Sequence, residues 1–347
     1  MRVYLFRGNI YFDAWRRSLS ENSVLFSIYN CLPDNDEVYR EASGAVFCKS
    51  GGFQYRRTTC QIIKTLENSG VPVYPSSRAL ALYDDKVTQA YELQRLGIPS
   101  PITRVFWNES AAHLWLQKAV FPIVSKTSSG AGSAGVTLIR NKKTGHNIIK
   151  KVFRRGIRTD RFPPEITNKF SRYLLRWILS DTRISYYGWA QRISAAHSTL
   201  RSYSFREKEC ILFQEFIPNN SFDYRITVIG NRAFGMRRFN RQGDFRASGS
   251  SQHDYDPTNI PEDVVQLAFS TASILKMKQS MATDILMSED KKPCIVEVSY
   301  DFANAHNEYP GFWDENLKWI PKPCTRFKAL SSDFCTSVIS GLTVNIR

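Results

Sequence analysis

A lysine followed by a run of small residues is the first point at which this chain could do chemistry. Lys126 ends the apolar run 121–126, and residues 128–135 are serines, alanines and glycines. Glycines let backbone N–H groups approach an anion, and a lysine supplies a point charge for a phosphate. The same stretch also fits an ordinary hairpin with a small-residue turn. It is not a Walker loop, because no Gly-Lys-Ser/Thr triplet opens a helix.

Polar side chains interrupt two apolar, strand-like segments further along. Gln214 and Glu215 lie in the first segment, and Asp223 opens the second. An unpaired buried charge is costly, so we expect a polar group to meet these side chains. A purine fits: its amino group would face Gln214 or Glu215, and its edge would meet the backbone near Phe216 and Ile217. The alternative is a set of strand-end residues that face solvent.

A cluster of arginines follows these segments. Arg237 and Arg238 are adjacent, and Arg241 and Arg246 come shortly afterwards. The planar guanidinium fork suits a transferring phosphoryl group or an acyl-phosphate. A solvated basic strand edge is the alternative interpretation.

Two late carboxylates complete the set. Asp284 and Glu297 each lie in an apolar segment, and the polar residues 288–292 between the segments predict a hairpin. Such a hairpin can place the two carboxylates side by side. Paired carboxylates without cysteine or histidine neighbours suit Mg²⁺, a hard ion that keeps waters and bridges substrate phosphates. The four groups together predict an ATP and magnesium site.

In this order the blocks resemble the ATP-grasp ligases, particularly the branch that includes ribosomal-protein glutamate ligase and glutathione synthetase. The similarity runs from about Val71 to Tyr300, and its most specific part runs from Gln214 through Asp223 to Arg246. The resemblance implies an ATP-grasp fold of the α+β / α/β class. An N-terminal α/β pre-ATP-grasp lobe would precede two α+β lobes that clamp the nucleotide.

The resemblance also implies domain limits. The pre-ATP-grasp domain would span 1–80, and the ATP-grasp domain would span 81–320. Within the latter, 81–213 would form the lid lobe and 214–320 the C-terminal lobe. Residues 321–347 would form a C-terminal tail.

Roles for individual residues follow from the same resemblance. Lysines would hold the phosphates beneath a flexible lid of small residues, and Glu215 and Ile217 would frame the adenine. Asp223 would lie near the ribose or orient Arg225. The implied nucleotide contacts are Lys86, Lys126, Ser128, Gly130, Gly132, Gly135, Gln214, Glu215, Phe216, Ile217 and Asp223. The implied catalytic residues are Arg238, which would face the γ-phosphate and the acyl-phosphate, and Arg225. The implied metal ligands are Asp284, Glu297 and Ser299.

The chain departs from the family pattern at two positions. The usual third metal ligand is an asparagine two residues after the glutamate, and Ser299 stands there. An asparagine also commonly follows the Phe-Arg pair, where this chain has Ser248. The number of metal ions is therefore open. Asn304 and Asn307, a few residues downstream, could compensate.

Composition agrees with an enzyme that is not exported. The 347 residues, 42% of them hydrophobic, can bury substantial cores. Seven cysteines without Cys-x-x-Cys spacing favour reduced thiols and a reducing cytoplasm. No apolar run reaches 18 residues, and the N-terminus resembles a first strand more than a secretion signal. We expect a soluble cytoplasmic protein, with peripheral association at the inner membrane as a variant.

The segment 150–208 is unusually basic. It has fourteen Lys or Arg against four Asp or Glu, so about +10 of the net +15 charge lies there. The resembling ligases are usually much shorter here, and residues 170–179 have the spacing of an amphipathic helix. An anionic acceptor, such as a uronic-acid polysaccharide, a nucleotide-sugar or an acidic peptide, is the preferred explanation. An anionic membrane surface is second. Nucleic acid is the least favoured partner, because no recognised motif supports it.

The remaining pattern predicts the elements that position these groups. Short apolar runs and a helix at 58–68 predict a small α/β lobe in residues 1–80. Helical spacing also predicts helices at 86–96 and 109–120. Oligomeric state cannot be derived from the sequence.

The sequence therefore predicts an ATP-dependent carboxylate–amine ligase that acts through an acyl-phosphate, with ATP and Mg²⁺ as cofactors. Its substrates would be an anionic carboxylate, for example a uronic acid of a surface polysaccharide or its precursor, and an amino acid or amine. The alternatives are a ligase that adds amino acids to a peptide, or a catalytically degenerate nucleotide-binding protein that binds polyanions through its basic segment.

Overall fold

The computed structural model describes residues 2–6, 11–29, 37–48, 53–130, 135–158, 206–247, 251–302 and 306–345. The chain divides into two compact units, which are considered separately. The larger unit contains residues 1–101 and 217–347, and the smaller unit contains residues 102–216. The domain limits inferred from the resemblance remain a proposal.

A parallel sheet forms the first part of the larger unit. Its four strands have the order β2-β1-β3-β4. Helices follow the strands, as expected where parallel strands are joined by crossovers. The bounds are β1 Val3–Phe6, α1 Phe12–Glu21, β2 Phe26–Tyr29, α2 Glu37–Glu41, β3 Gly44–Phe47, α3 Phe53–Asn68, β4 Val73–Tyr74, α4 Ser77–Leu82 and α5 Lys86–Arg95. The predicted α/β character of this region and the helices predicted at 58–68 and 86–96 are confirmed.

An antiparallel sheet forms the second part of the larger unit, with the order β15-β14-β11-β12-β17-β18 and with β13 on β12. The bounds are β11 Phe222–Ile229, β12 Arg232–Phe239, β13 His253–Asp254, α8 Glu262–Ile274, β14 Met281–Met287, β15 Pro293–Ser299, β16 Glu308–Tyr309, β17 Phe312–Asp314, β18 Trp319–Ile320, β19 Cys324–Thr325 and α9 Arg326–Asn345. Helix α9 buries Phe327, Leu330 and Phe334 in the core of this unit. Phe327 and Phe334 lie edge-on to Trp15 of α1.

The smaller unit has its own sheet and core. Its antiparallel order is β5-β10-β6-β7, and two helices accompany it. The bounds are β5 Thr103–Phe106, α6 Glu109–Lys118, β6 Ile123–Lys126, β7 Thr137–Ile139, α7 Lys142–Arg155, β8 Ile157–Arg158, β9 Arg206–Glu207 and β10 Ile211–Glu215. Leu116, Ile149 and Phe213 are among its buried core residues. The helix predicted at 109–120 is confirmed as α6.

Most of the basic segment lies outside the described residues, including the helix predicted at 170–179. Among the described helices, none is both long and apolar enough to cross a membrane. The six cysteines in the described ranges are free thiols.

Candidate functional site

Four neighbouring strands of the antiparallel sheet bring the predicted catalytic and metal-binding residues to one surface. The register places Asp223 opposite Arg238 and Arg225 opposite Asp284, and it places Asp284 opposite Glu297. Side chains alternate between the two faces of a strand, so these five residues share one face. We call them the charged face. The other face carries apolar residues of the same strands and packs against the core.

Paired ions connect four members of the charged face. Arg238 donates from Nε to Oδ1 of Asp223 at 2.7 Å and from Nη2 to Oδ2 at 2.6 Å. Nη2 of Arg238 also lies 2.7 Å from Oδ2 of Asp284. Arg225 binds the same Asp284 carboxylate with both Nε and Nη2, at 2.8 and 2.9 Å. Bidentate guanidinium–carboxylate pairs fix geometry as well as charge, so the four side chains hold one another in place.

Burial makes this network electrostatically strong. Asp223, Arg238 and Asp284 are 8%, 5% and 8% exposed. Burial and the neighbouring Asp284 raise the pKa of Asp223 to about 6, against the opposing effect of Arg238. Burial also acts to raise the pKa of Asp284, but Arg225 and Arg238 outweigh it and hold that pKa below its ordinary value. The two aspartates differ because Asp284 receives two guanidinium groups and Asp223 receives one.

The Arg238 guanidinium is held in its charged form. Burial alone would lower the pKa of Arg238, but Asp284 and Asp223 more than compensate and raise it. The two aspartates engage its Nε and Nη2. Among the described residues, nothing binds its Nη1, so one end of the fork remains available to an anion.

The two predicted metal-binding carboxylates are neighbours. The predicted hairpin is present, since Ser288 N donates to Lys292 O at 2.9 Å in its turn. A register shift follows the Asp284–Glu297 pair. Glu297 is half-buried. Its backbone is part of the β14–β15 ladder, and among the described residues its carboxylate makes no hydrogen bond or ion pair. Opposed residues on antiparallel strands have Cβ atoms about 5 Å apart, which is within reach of one ion.

The donor set fits a hard divalent cation. Two carboxylates with water and phosphate oxygens suit Mg²⁺. No group of three or more His, Cys, Asp or Glu that could hold a metal occurs among the described residues. The Ser299 hydroxyl donates to Asp301 O at 2.8 Å and accepts from Asp301 N at 3.0 Å, so its own turn engages it. Its role as a ligand stays a prediction, as do those of Asp284 and Glu297. Ser248 and Asn304 lie outside the described residues.

Lys86 begins α5 in the same unit. Its side chain is 7% exposed, and its Nζ lies 3.5 Å from Oδ1 of Asp84. The side chain of Asp85 caps the helix by accepting from Thr88 N. One turn later, Gln89 bonds both the carbonyl and the N–H of Val298, at 2.9 and 3.2 Å. These bonds attach α5 to the edge of β15 beside Glu297.

The small-residue segment of the smaller unit is closed at its base. We call residues 127–135 the glycine loop. Thr127 N donates to Gly135 O at 3.3 Å, and Thr127 Oγ1 donates to Ser129 O at 2.7 Å. Gly135 has φ +71°, and a Cβ there would lie 2.0 Å from Thr127 Oγ1. Only glycine fits this position. Gly132 lies outside the described residues.

The carboxylate of Glu207 accepts hydrogen bonds from N–H groups that the sequence analysis predicted to bind a phosphate. Ser128 N and Ser129 N each donate to one of its carboxylate oxygens at 2.8 Å, and the Ser129 hydroxyl also donates to it. The N–H of Ser128, a predicted phosphate contact, is bound in this structure to an internal carboxylate. Lys126 ends β6 opposite Leu212 and is half-buried.

The predicted adenine-binding residues lie at a strand end. Gln214 donates from Nε2 to Thr103 Oγ1 at 2.9 Å, so its amide is engaged within the sheet. Glu215 is exposed, and its N–H donates to Ile102 O at 2.9 Å. Along the chain, Phe216 is the last residue of the smaller unit, and the larger unit resumes at Ile217. Both interpretations of the sequence, a purine site and a solvent-facing strand end, remain compatible with these positions.

The arginine cluster is divided by the pleat. Arg237 points to the opposite face from Arg238, binds Asp254 at 3.0 Å through Nε and lies 4.9 Å from the Phe222 ring centroid. Arg246 binds Asp244 two residues away. Alternation along β12 therefore places Arg238, and not Arg237, on the charged face.

Three residues near these sites were missed by the sequence analysis. Glu207 is one. His253 lies opposite Arg238, and burial together with Arg238 and Arg225 lowers its pKa. Arg326 is 1% exposed and donates to Thr227 Oγ1 at 3.2 Å, on the strand that carries Arg225. No local motif distinguishes these residues, because long-range packing alone brings them here.

Comparison with known proteins identifies the fold. Residues 187–307 match the family model of the RimK-like ATP-grasp domain. A RimK domain ATP-grasp protein from Sphaerobacter thermophilus is similar in structure, with TM-score 0.54 and 15% identity over 97% of this chain and 100% of that one. No curated protein is similar enough in sequence to match.

Two ligases of known structure are similar to this chain, with TM-scores close to that of the Sphaerobacter protein. The D-alanine–D-alanine ligase of Bacillus anthracis has TM-score 0.53 and 15% identity, over 99% of this chain and 98% of that chain. The ATP-grasp ligase PsnB, solved with a minimal precursor, has TM-score 0.56 and 14% identity, over 98% of both chains. The predicted resemblance to ATP-grasp proteins and the predicted fold class are confirmed: the chain has the ATP-grasp fold.

Proposed function

We propose that this protein with an ATP-grasp fold is an ATP-dependent, ADP-forming carboxylate–amine ligase that uses Mg²⁺. The observation that carries the proposal is the charged face, in which a buried guanidinium at Arg238 adjoins the opposed carboxylates Asp284 and Glu297. The fold and the ligase neighbours support the enzyme class and its cofactors. A fold alone does not define chemistry, so the proposal depends on these side chains.

The proposed reaction has two steps. An oxygen of the substrate carboxylate attacks the γ-phosphorus of ATP, and the bond from that phosphorus to the β–γ bridging oxygen breaks, which releases ADP. The amine nitrogen then attacks the acyl carbon of the acyl-phosphate. The bond from that carbon to the phosphate oxygen breaks, phosphate leaves, and the nitrogen loses a proton as the amide forms.

The residues of the charged face would position and neutralise the reacting groups. Arg238 can offer its Nη1 donors to the transferring phosphoryl group while Asp223 and Asp284 fix its orientation. Mg²⁺, held by Asp284 and Glu297, would neutralise phosphate charge when bound. Because Arg225 is bound to Asp284, it would help to set the orientation of that carboxylate. The predicted nucleotide contacts from Lys86 to Asp223 remain part of this proposal, except for the backbone N–H of Ser128, which is bound to Glu207.

The acceptor is proposed more coarsely, as an anionic carboxylate. The structural neighbour PsnB has been solved with a precursor peptide, which favours a peptide carboxylate as the first class to test. The uronic acid of a surface polysaccharide, and a role for an anionic membrane surface, depend only on the charge of residues 150–208. The degenerate alternative would bind polyanions through that segment without turnover.

Measurement of ADP release tests the proposal. The full chain is assayed with ATP, Mg²⁺ and a panel of carboxylates and amines that includes acidic peptides and uronic acids. We expect ADP formation that requires both a carboxylate and an amine, and we expect Glu297→Gln to abolish it. Glu289→Gln is the matched control, because Glu289 is exposed in the turn of the same hairpin. Full activity in Glu297→Gln would remove Glu297 from the metal site, and no amine-dependent turnover would favour the degenerate alternative.

A further inference from the structure

Glu207 is a buried carboxylate that the ligase mechanism does not use. It is 8% exposed and accepts bonds from two consecutive backbone N–H groups and one hydroxyl of the glycine loop. Ser128 and Ser129 each bind a different oxygen of the carboxylate, so the contact is bidentate. It joins residues 79 positions apart in the sequence.

The backbone holds Glu207 in place independently of the loop. Strand β9 pairs with β8, with Glu207 opposite Ile157. Gly156 follows the last residue of α7 and has φ +70°, and a Cβ at that position would lie 2.8 Å from the Glu207 carbonyl oxygen. The glycine therefore allows the chain leaving α7 to pass against β9. The pairing of β8 with β9 therefore fixes the backbone of Glu207 beside the loop.

The N–H groups of Ser128 and Ser129 cannot bind a phosphate while they are bound to Glu207. Removal of the N–H groups would leave a buried carboxylate without its hydrogen bonds, which is costly. A phosphate placed on the same N–H groups would also bring a second negative charge into contact with that carboxylate. The N–H groups at the Ser128 end of the loop therefore bind Glu207 and not a phosphate.

We propose that Glu207 is a positioning residue that fixes Ser128 and Ser129 at the start of the glycine loop, so that Lys126 can receive a nucleotide phosphate. This inference rests on the proposed function, because it assumes that the protein binds ATP. Glu207 acts through the loop and does not itself touch the nucleotide. Its loss should affect the phosphate-dependent part of nucleotide binding and spare the part that depends on the base and ribose.

Binding of ATP, ADP and adenosine to the full chain by titration calorimetry tests the inference. We expect Glu207→Ala to weaken ATP and ADP binding about tenfold and to change adenosine binding by less than about twofold. Glu207→Gln keeps one acceptor oxygen of the same shape, so it should rescue part of the loss. Hydrogen exchange at the Ser128 and Ser129 amides should be faster in Glu207→Ala and intermediate in Glu207→Gln.

Glu209 offers the matched control. It lies two residues away, is exposed, and carries the same charge, so Glu209→Gln and Glu209→Ala should behave as wild type. Tighter ATP binding in Glu207→Ala would show that the carboxylate competes with phosphate and would overturn the inference. Unchanged ATP binding, or equal weakening of ATP and adenosine, would overturn it as well. If wild type binds no nucleotide, the proposed function fails too, and that result is distinct from the others.

Discussion

In the charged face the ion pairs join residues on the strands of one sheet, whereas in the glycine loop one distant carboxylate binds consecutive backbone N–H groups. Asp223, Arg225, Arg238 and Asp284 meet because the register of β11, β12 and β14 places them opposite one another. Ser128 and Ser129 depend on Glu207, which approaches from a separate two-residue strand. A sheet positions side chains through its ladder, while a loop needs a partner from elsewhere.

The two regions also differ in the groups that stabilise their buried carboxylates. Asp284 is balanced by two guanidinium groups, so the charged face consists of full ions that balance one another. Glu207 is balanced by dipoles of the backbone and a hydroxyl. Removing one ion should therefore cost more in the charged face than a comparable change in the glycine loop.

Arg238→Met should have the largest effect, because it leaves Asp223 and Asp284 buried with one guanidinium group between them. We expect a loss of about 3–5 kcal/mol in the free energy of unfolding and a fall in the ADP-release rate of about 10²-fold or more. Urea unfolding and the ADP assay measure the two effects. The double variant Asp223→Asn/Arg238→Met should recover part of the lost stability. Equal instability in single and double variants would contradict the ion-pair network.

The pH dependence of stability should show a contribution from Asp223. Its pKa is raised from 3.8 to about 6 in the folded protein, so the folded state binds this proton more tightly than the unfolded state. The stabilisation is fully present below about pH 4 and is lost as the pH rises through about 6, with a total of at most about 3 kcal/mol. Asp223→Asn removes this titration.

Unfolding free energies of wild type and Asp223→Asn across pH 4–7 isolate that contribution. The wild type should lose stability relative to the variant as the pH rises over this range. A difference that is constant with pH would show that the Asp223 pKa is not raised, and the charged face would then be less asymmetric than the structure indicates.

Gly135→Ala should have a smaller effect in the glycine loop. The substitution places a methyl group against Thr127 Oγ1 at a positive φ. Gly70→Ala is the matched control, because Gly70 has φ +76° and nothing within 4 Å of the Cβ position. In both variants, backbone strain should lower the free energy of unfolding by about 1–2 kcal/mol. Gly135→Ala should lower the free energy of unfolding by about 1 kcal/mol more than Gly70→Ala. This is the low end of the cost of overpacking, because a loop can shift to relieve the contact.

Thermal unfolding of the two glycine variants measures this difference. ATP titration should show weaker binding in Gly135→Ala only. Identical stability and binding in both variants would mean that the base of the loop is not closed by Thr127, which would weaken the comparison with the charged face.

Sequence patterns were most informative where local periodicity and pairing rules act. The turn at 288–292 between two apolar segments predicted a hairpin, and the structure places Asp284 opposite Glu297. The helical spacing after Lys86 and after Asn108 predicted α5 and α6. Helix α9 was not predicted, because residues 327–347 have no motif and their helix is stabilised by packing on Trp15 and its neighbours.

The sequence by itself determined the chemistry that the chain can offer: the order of its cations and carboxylates, and through them the ATP-grasp fold. Only the tertiary structure decided which of these groups meet. It separated Arg237 from Arg238, bound Asp284 to two guanidinium groups and brought Glu207 to the glycine loop. The physical reason is that hydrogen bonds and ion pairs depend on distances of about 3 Å, and chain folding sets those distances between residues far apart in sequence.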